Sequence, residues 1–377
     1  MAEPQTAAPP PPEPRPSRGV VEPTTPPGVE PLETPRRPAR RAYTTGDAGL
    51  DARLMAVVQE IGAADPRLTF EMLVTAVKMA KPPLDRLDRK LINASLKEMR
   101  YAFGVFSAYR DRRKVTVFGS ARVQPGDPDY DVARDFGRRI VEAGWMVITG
   151  AGPGIMRAGQ EGAGHESSFG VNIVLPFENA PNEFIADDPK LINFKYFFTR
   201  KLMFIKEAEA FALFPGGYGT MDELFELLVL VQTGKSDLHP IVLLEREGGD
   251  YWPAVDRAMR DVLLAQGMID AADRGFYHIA ANPADAVAHI ERFYRVYHSQ
   301  RYVGEELIVR LSSPLDAARI AALNAEFADI LRGEIRTVGA SEPEIRDDDV
   351  VTLPRLSVPF DRVHFARLRR LIDRIND

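Results

Sequence analysis

Two short pairs of ionisable residues flank one glycine-rich loop in this sequence, and together they suit chemistry on a phosphate-bearing substrate. Glu223 and Glu226 stand three apart, on one face of a helix, directly after "PGGYGT" at 215–220. Arg200 and Lys201 precede that loop in "FKYFFTRKLMFIKEAEAF". Glycines leave backbone N–H groups bare at a helix start, where the dipole favours an exposed anion by ~0.3–1 kcal/mol. A guanidinium fork and an ammonium suit phosphate or ribose oxygens. A carboxylate beside a bound anion is unfavourable unless it serves the reaction. Each feature also has a plain structural reading. Thr220-x-x-Glu223 fits a capping box, Thr199 fits the cap of a helix whose first turn carries Arg200 and Lys201, and a basic pair fits a solvated surface.

The elements that would position these residues alternate between short β-rich runs and helical stretches. "KVTVFG", "GWMVITG", "FGVNIVLP", "AFALFP" and "HPIVLLE" read as strands over 114–298. The expected fold is α/β, a Rossmann-like doubly wound parallel sheet with ligands at the carboxyl ends of its strands. Three strands run into small-residue loops that open helices: "FGSAR" at 118–122, "TGAGPGIM" at 149–156, and "PGGYGT". In a parallel sheet all three share one edge. "GAGPG" lacks the dinucleotide register and follows the second strand, and "PGGYGT" lacks the Gly-Lys-Ser/Thr ending of a P-loop. The pattern therefore predicts a phosphate site without a metal.

Around this domain the composition shifts. Residues 1–48 hold 13 of the 30 prolines and read as a disordered arm; 49–113 carry apolar residues at helical spacing and read as a helical preface. Residues 299–377 read as a small α/β module in the order β-α-β-β-α, with no site of their own. With 45% apolar residues the 377-residue chain can bury a sizeable core. A net charge of −6 disfavours nucleic acid as a partner, and the absence of cysteine excludes disulfides and thiolate chemistry. No apolar run approaches a membrane span, and the chain is expected to be cytoplasmic.

The joint occurrence of "RK" at 200–201 and "PGGYGTMDE" resembles the two-part signature of the LOG (Lonely Guy) family of nucleoside 5'-monophosphate phosphoribohydrolases, proteins long mislabelled as lysine decarboxylases. The resemblance covers 114–298. It implies hydrolysis of the N-glycosidic bond to free base and ribose 5-phosphate without metal or cofactor, with Glu223 and Arg200 catalytic. It further implies that Gly216, Gly217, Gly219 and Thr220 hold the 5'-phosphate. Gly119, Ser120, Gly152, Gly154 and Met156 would line the nucleotide pocket, with Lys201 and Glu226 beside it. A homodimer or higher homo-oligomer is also implied. The chain departs from cytokinin-activating members, which usually show a run of glycines before "GLM" where this one has "TGAGPGIM", and it carries flanking modules that compact members lack. Both departures favour AMP-like substrates over a prenylated adenine. A non-catalytic nucleotide or cofactor carrier on the same fold is the rival class. A pyridoxal phosphate decarboxylase is disfavoured because no lysine stands in a recognisable Schiff-base context.

Overall fold

The computed structural model describes residues 42–174 and 180–377. The proline-rich arm lies outside the described residues as far as residue 41. The chain divides into two compact units, with the boundary between Tyr101 and Ala102.

The preface is three helices: α1 Ala48–Glu60, α2 Pro66–Met79 and α3 Arg86–Ser107. Asp47 and Asp65 start the first two by accepting hydrogen bonds from the amides of Leu50 and Leu68. Such caps contribute about 1 kcal/mol each.

The second unit is built on a seven-stranded parallel sheet. Its elements are β1 Lys114–Phe118, α4 Pro128–Glu142, β2 Met146–Thr149, α5 Ile155–Ala163, β3 Ser168–Ile173, β4 Leu191–Phe194, α6 Phe197–Lys206, β5 Ala210–Leu213, α7 Tyr218–Gln232, β6 Ile241–Leu243, α8 Tyr251–Ala258, β7 Tyr277–Ile279 and α9 Pro283–Phe293. Every residue of β1, β2 and β5 is buried, as expected of strands covered on both faces. The spatial order is β4-β3-β2-β1-β5-β6-β7. The chain winds outward from β1 in one direction and resumes at β5 on its other side. The switch point, where such sheets bind ligands, therefore lies between β1 and β5. Two strands escape the sequence reading, β4 "LINF" and β7 "YHI". Both are short and sit at the sheet's edges, where alternation is weakest.

The final segment is a four-stranded antiparallel sheet of order β10-β11-β9-β8, formed by β8 Tyr297–Val303, β9 Glu306–Leu311, β10 Arg336–Thr337 and β11 Arg355–Val358, with α10 Ala317–Glu326, α11 Glu342–Arg346 and α12 Phe365–Asn376. The expected order β-α-β-β-α is corrected to β-β-α-β-α-β-α. The "YHSQRYV" run is a strand, with a register irregularity between Tyr297 and Ser299. Its polar centre hides it from a periodicity argument. Its first residues are fixed by Asn376, whose side-chain oxygen accepts from the amides of Val296 and Tyr297. The apolar core is continuous from the parallel sheet (Val117, Phe136, Phe214) into this segment (Leu307, Leu356, Leu368).

Candidate active site

Because β2, β1 and β5 are neighbours, their three glycine loops meet at one edge of the sheet. They are also bonded to one another. The Ser120 amide donates to the Pro215 carbonyl at 3.0 Å, and the Ile155 amide donates to the Ser120 carbonyl at 3.0 Å. Gly154 has φ 69°, and a Cβ there would strike the backbone of Ser120 and Ala121. Gly154 thus serves the junction of two loops. Gly217 and Gly219, by contrast, have open space where a side chain would stand. The loops enclose a cavity of about 940 Å³ lined by Gly119, Ser120, Gly216, Gly217, Gly219 and Thr220 among others.

The helix that follows "PGG" begins at Tyr218 with Gly217 as its cap, and no side chain caps it. The capping box read from Thr220 and Glu223 is therefore corrected. Thr220 lies inside the first turn, buried against Gly216, and Glu223 has no capping duty. The first-turn amides of α7 have no acceptor within the helix, so this end offers N–H groups that suit an anion.

Glu223 lines the same cavity. Its Oε2 atom is buried and has no hydrogen-bond partner among the described residues. Burial pushes its carboxyl up to about 7; the charge of Lys201 opposes the shift, Glu226 and Asp222 reinforce it, and Arg200 opposes it. A carboxyl raised towards neutrality, with one buried oxygen left without a donor, suits proton transfer in water.

α6 supplies the cations. It starts at Phe197 after Tyr196, so Thr199 is within the helix rather than at its cap, and its hydroxyl donates to the Tyr196 carbonyl at 3.0 Å. Two of the contacts that hold Arg200 lie among the described residues. Its Nε donates to the Val171 carbonyl at 2.9 Å, and its guanidinium lies 5.1 Å from the Phe204 ring centroid. A methyl group on Gly150 would fall 2.7 Å from Met156 Sδ and closer still to Arg200 Nη2, so this glycine keeps room for the arginine. Lys201 Nζ bridges Asp222 Oδ2 and Glu226 Oε2, both at 2.7 Å. Burial works against its charge, but those two hydrogen bonds outweigh it and hold its pKa above the ordinary lysine value.

A family model described as "possible lysine decarboxylase" matches residues 152–290. The "probable cytokinin riboside 5'-monophosphate phosphoribohydrolase LOG4" of Oryza sativa subsp. japonica is 29% identical over 177 residues, spanning 46% of this chain and 74% of that protein. The "cytokinin riboside 5'-monophosphate phosphoribohydrolase LOG" of the same plant is 28% identical over 192 residues, 50% of this chain and 76% of that one. Over about half of its length the chain is similar to these LOG proteins. Among solved structures, the molybdenum cofactor carrier protein of Chlamydomonas reinhardtii is 19% identical with a TM-score of 0.35, covering 48% of this chain and 97% of that one.

Within the LOG-like domain the cavity brings together Gly119, Ser120, Met156, Arg200, Lys201, Gly216, Gly217, Gly219, Thr220 and Glu223. Gly152 and Gly154 lie outside its lining, and Glu226 faces a different cavity across the Lys201 ion pair. Three contributors were missed in the sequence. Asp222 lies within the quoted "TMDE" and pairs with Lys201. Arg122 closes the quoted "FGSAR" and lines the cavity. Tyr251 donates its hydroxyl to the Gly216 carbonyl at 2.6 Å from a distant helix, and no local signal announces it. Among the described residues no cluster of three or more His, Cys, Asp or Glu could hold a metal, and no helix is long and apolar enough to cross a membrane.

Proposed function

We propose that this LOG-like chain hydrolyses the N-glycosidic bond of nucleoside 5'-monophosphates, AMP-like ones first, to free base and ribose 5-phosphate. The observation that carries the reading is the buried Glu223 Oε2, which has no hydrogen-bond partner among the described residues, in a cavity also lined by the start of α7. The loop and helix end bind the 5'-phosphate and fix the ribose, so that phosphate binding energy is used to orient the bond that breaks. Positive charge grows on the sugar as the bond to the base lengthens, and ionised Glu223 stabilises it. Water adds to the anomeric carbon, Glu223 takes its proton, and the base departs with the bonding pair and gains a proton from solvent. Arg200 anchors the substrate and orients Glu223. Lys201 acts differently from the second phosphate cation expected from sequence: clamped by Asp222 and Glu226, it sets the charge around Glu223.

The names of its relatives support a second reading, in which the substrate is a cytokinin riboside 5'-monophosphate. We further propose a homodimer formed through α7. Its Leu224, Leu227 and Val231 are buried, while Phe225 and Val229 are 40% and 54% exposed. Light scattering of Val229→Asp tests this, with a monomer expected. A cytoplasmic location belongs to the same proposal and is tested by cell fractionation.

The experiment for the reaction is chromatographic detection of free base and ribose 5-phosphate from a panel of nucleoside monophosphates, prenylated AMP included, with each matching nucleoside as control. Release from monophosphates but not nucleosides is expected. Tight nucleotide binding with no release would favour a carrier.

A further inference from the structure

The cavity at the sheet edge carries a cation that the proposed reaction has not used. Its basic lining residues are Arg122, Arg200 and Lys201, and its acidic ones are Asp222 and Glu223. Lys201 is clamped between Asp222 and Glu226. Arg200 commits its Nε to the Val171 carbonyl and lays its guanidinium near the Phe204 ring. The guanidinium of Arg122 is different. It lines the same cavity on an exposed side chain, with no hydrogen bond or ion pair of its own among the described residues.

That freedom belongs to the side chain alone. The Ser120 hydroxyl accepts from the Arg122 amide at 3.1 Å, and Gln124 Nε2 donates to the Arg122 carbonyl at 3.1 Å. The loop so held is joined to "PGG" by the hydrogen bond from the Ser120 amide to the Pro215 carbonyl, and a Cβ on Gly216 would stand 3.2 Å from the Ser120 nitrogen. The backbone of Arg122 is therefore fixed close to the loop that opens α7, while its fork of N–H donors is left uncommitted. Charge balance gives that fork a use. A phosphate at the start of α7 shares the cavity with Asp222 and Glu223, and a helix end favours an exposed anion by only ~0.3–1 kcal/mol. The charge of Lys201 is already answered by two carboxylates. A guanidinium matches two phosphate oxygens at once, which an ammonium cannot do.

Resting on the nucleotide reading above, we propose that Arg122 recognises the 5'-phosphate and so separates nucleoside monophosphates from nucleosides: its guanidinium closes on two non-bridging oxygens of the phosphate seated at the start of α7. Arg122 thereby takes the part that the sequence suggested for Lys201. It touches the phosphate and not the bond that breaks, so its removal acts on affinity for phosphate-bearing ligands and leaves the recognition of base and ribose unchanged.

The test is calorimetric titration of the full chain with carbocyclic AMP, in which a methylene replaces the ring oxygen so that no oxocarbenium forms and the base stays attached, with carbocyclic adenosine as control. The parent is expected to bind the monophosphate more tightly than the nucleoside. Arg122→Gln should weaken the monophosphate at least about tenfold, with the nucleoside and the melting curve unchanged. Arg122→Lys keeps the charge without the fork and should fall between the two; if Arg122→Gln does not fold, its selective loss of monophosphate affinity relative to the parent supports the role, and parental affinity for both ligands refutes it. Undiminished monophosphate binding by a folded Arg122→Gln, or an equal loss for both ligands, would overturn the role of Arg122 and leave the nucleotide reading standing. A parent that binds no carbocyclic AMP would overturn both.

Discussion

Glu223 and Glu344 are both glutamates drawn into the fold near a helix start, yet their surroundings are opposite. Glu344, in the C-terminal segment, is fully buried and saturated. One oxygen accepts from Arg310 Nε and Nη2 at 3.1 and 2.9 Å, and the other from the Ser341 amide and hydroxyl at 3.1 and 2.8 Å. Glu223 has a buried oxygen with no donor, in a cavity floored by backbone amides. Burial of an acid therefore does not mark a functional site in this molecule. What sets Glu223 apart is a buried oxygen left without a donor beside loops that are bonded to one another, and the proposed role rests on that difference.

The contrast can be broken by removing each acid in turn. Glu344→Ala leaves Arg310 and Arg355 buried without their shared carboxylate. Thermal or urea unfolding should show a loss of about 3–5 kcal/mol. Glu223→Gln should instead fold normally and lower base release by ~10²–10³-fold, measured in steady state. The same variant sharpens the comparison through pH. Glu223 is raised from 4.5 to about 7 in the folded protein, so the native state holds a proton that the unfolded chain has released between those values. Stability should fall as pH rises through that window, and Glu223→Gln should be more stable than the parent above pH 7 by on the order of 2 kcal/mol, the difference vanishing below pH 4.5. Denaturation at several pH values checks this.

Smaller effects test the parts around the acid. Tyr251→Phe removes the hydrogen bond that supports Gly216 and should raise KM by ~2–10-fold with little change in kcat, since it loosens the phosphate loop rather than the acid. Asp222→Asn removes a negative charge that raises the Glu223 carboxyl, so the acidic limb of the pH–rate profile should move to lower pH by roughly half a unit.

Much of this arrangement was legible in the sequence, for identifiable reasons. The central strands are continuous apolar runs bounded by glycine, so the parallel sheet and the shared edge of its loops could be read directly. Arg200 and Glu223 were legible because their motifs are local. The helix start at "PGGYGT" was not, because Thr220-x-x-Glu223 satisfies the capping pattern while the actual helix begins three residues earlier on a glycine cap. The clamp on Lys201 joins two helices, and the Tyr251 support reaches over 35 residues to Gly216; neither leaves a periodic trace. Gly150 shows a further limit. Its lack of a side chain makes room for Arg200, a tertiary requirement that a glycine in a loop motif does not disclose.

The central claim is that Glu223 performs chemistry and does not hold the fold or the ligand. It is tested most directly by measuring AMP binding and base release on the same preparations of parent and Glu223→Gln protein. Undiminished nucleotide affinity with base release lost is the predicted result; base release that persists at the parental rate in the variant would contradict it.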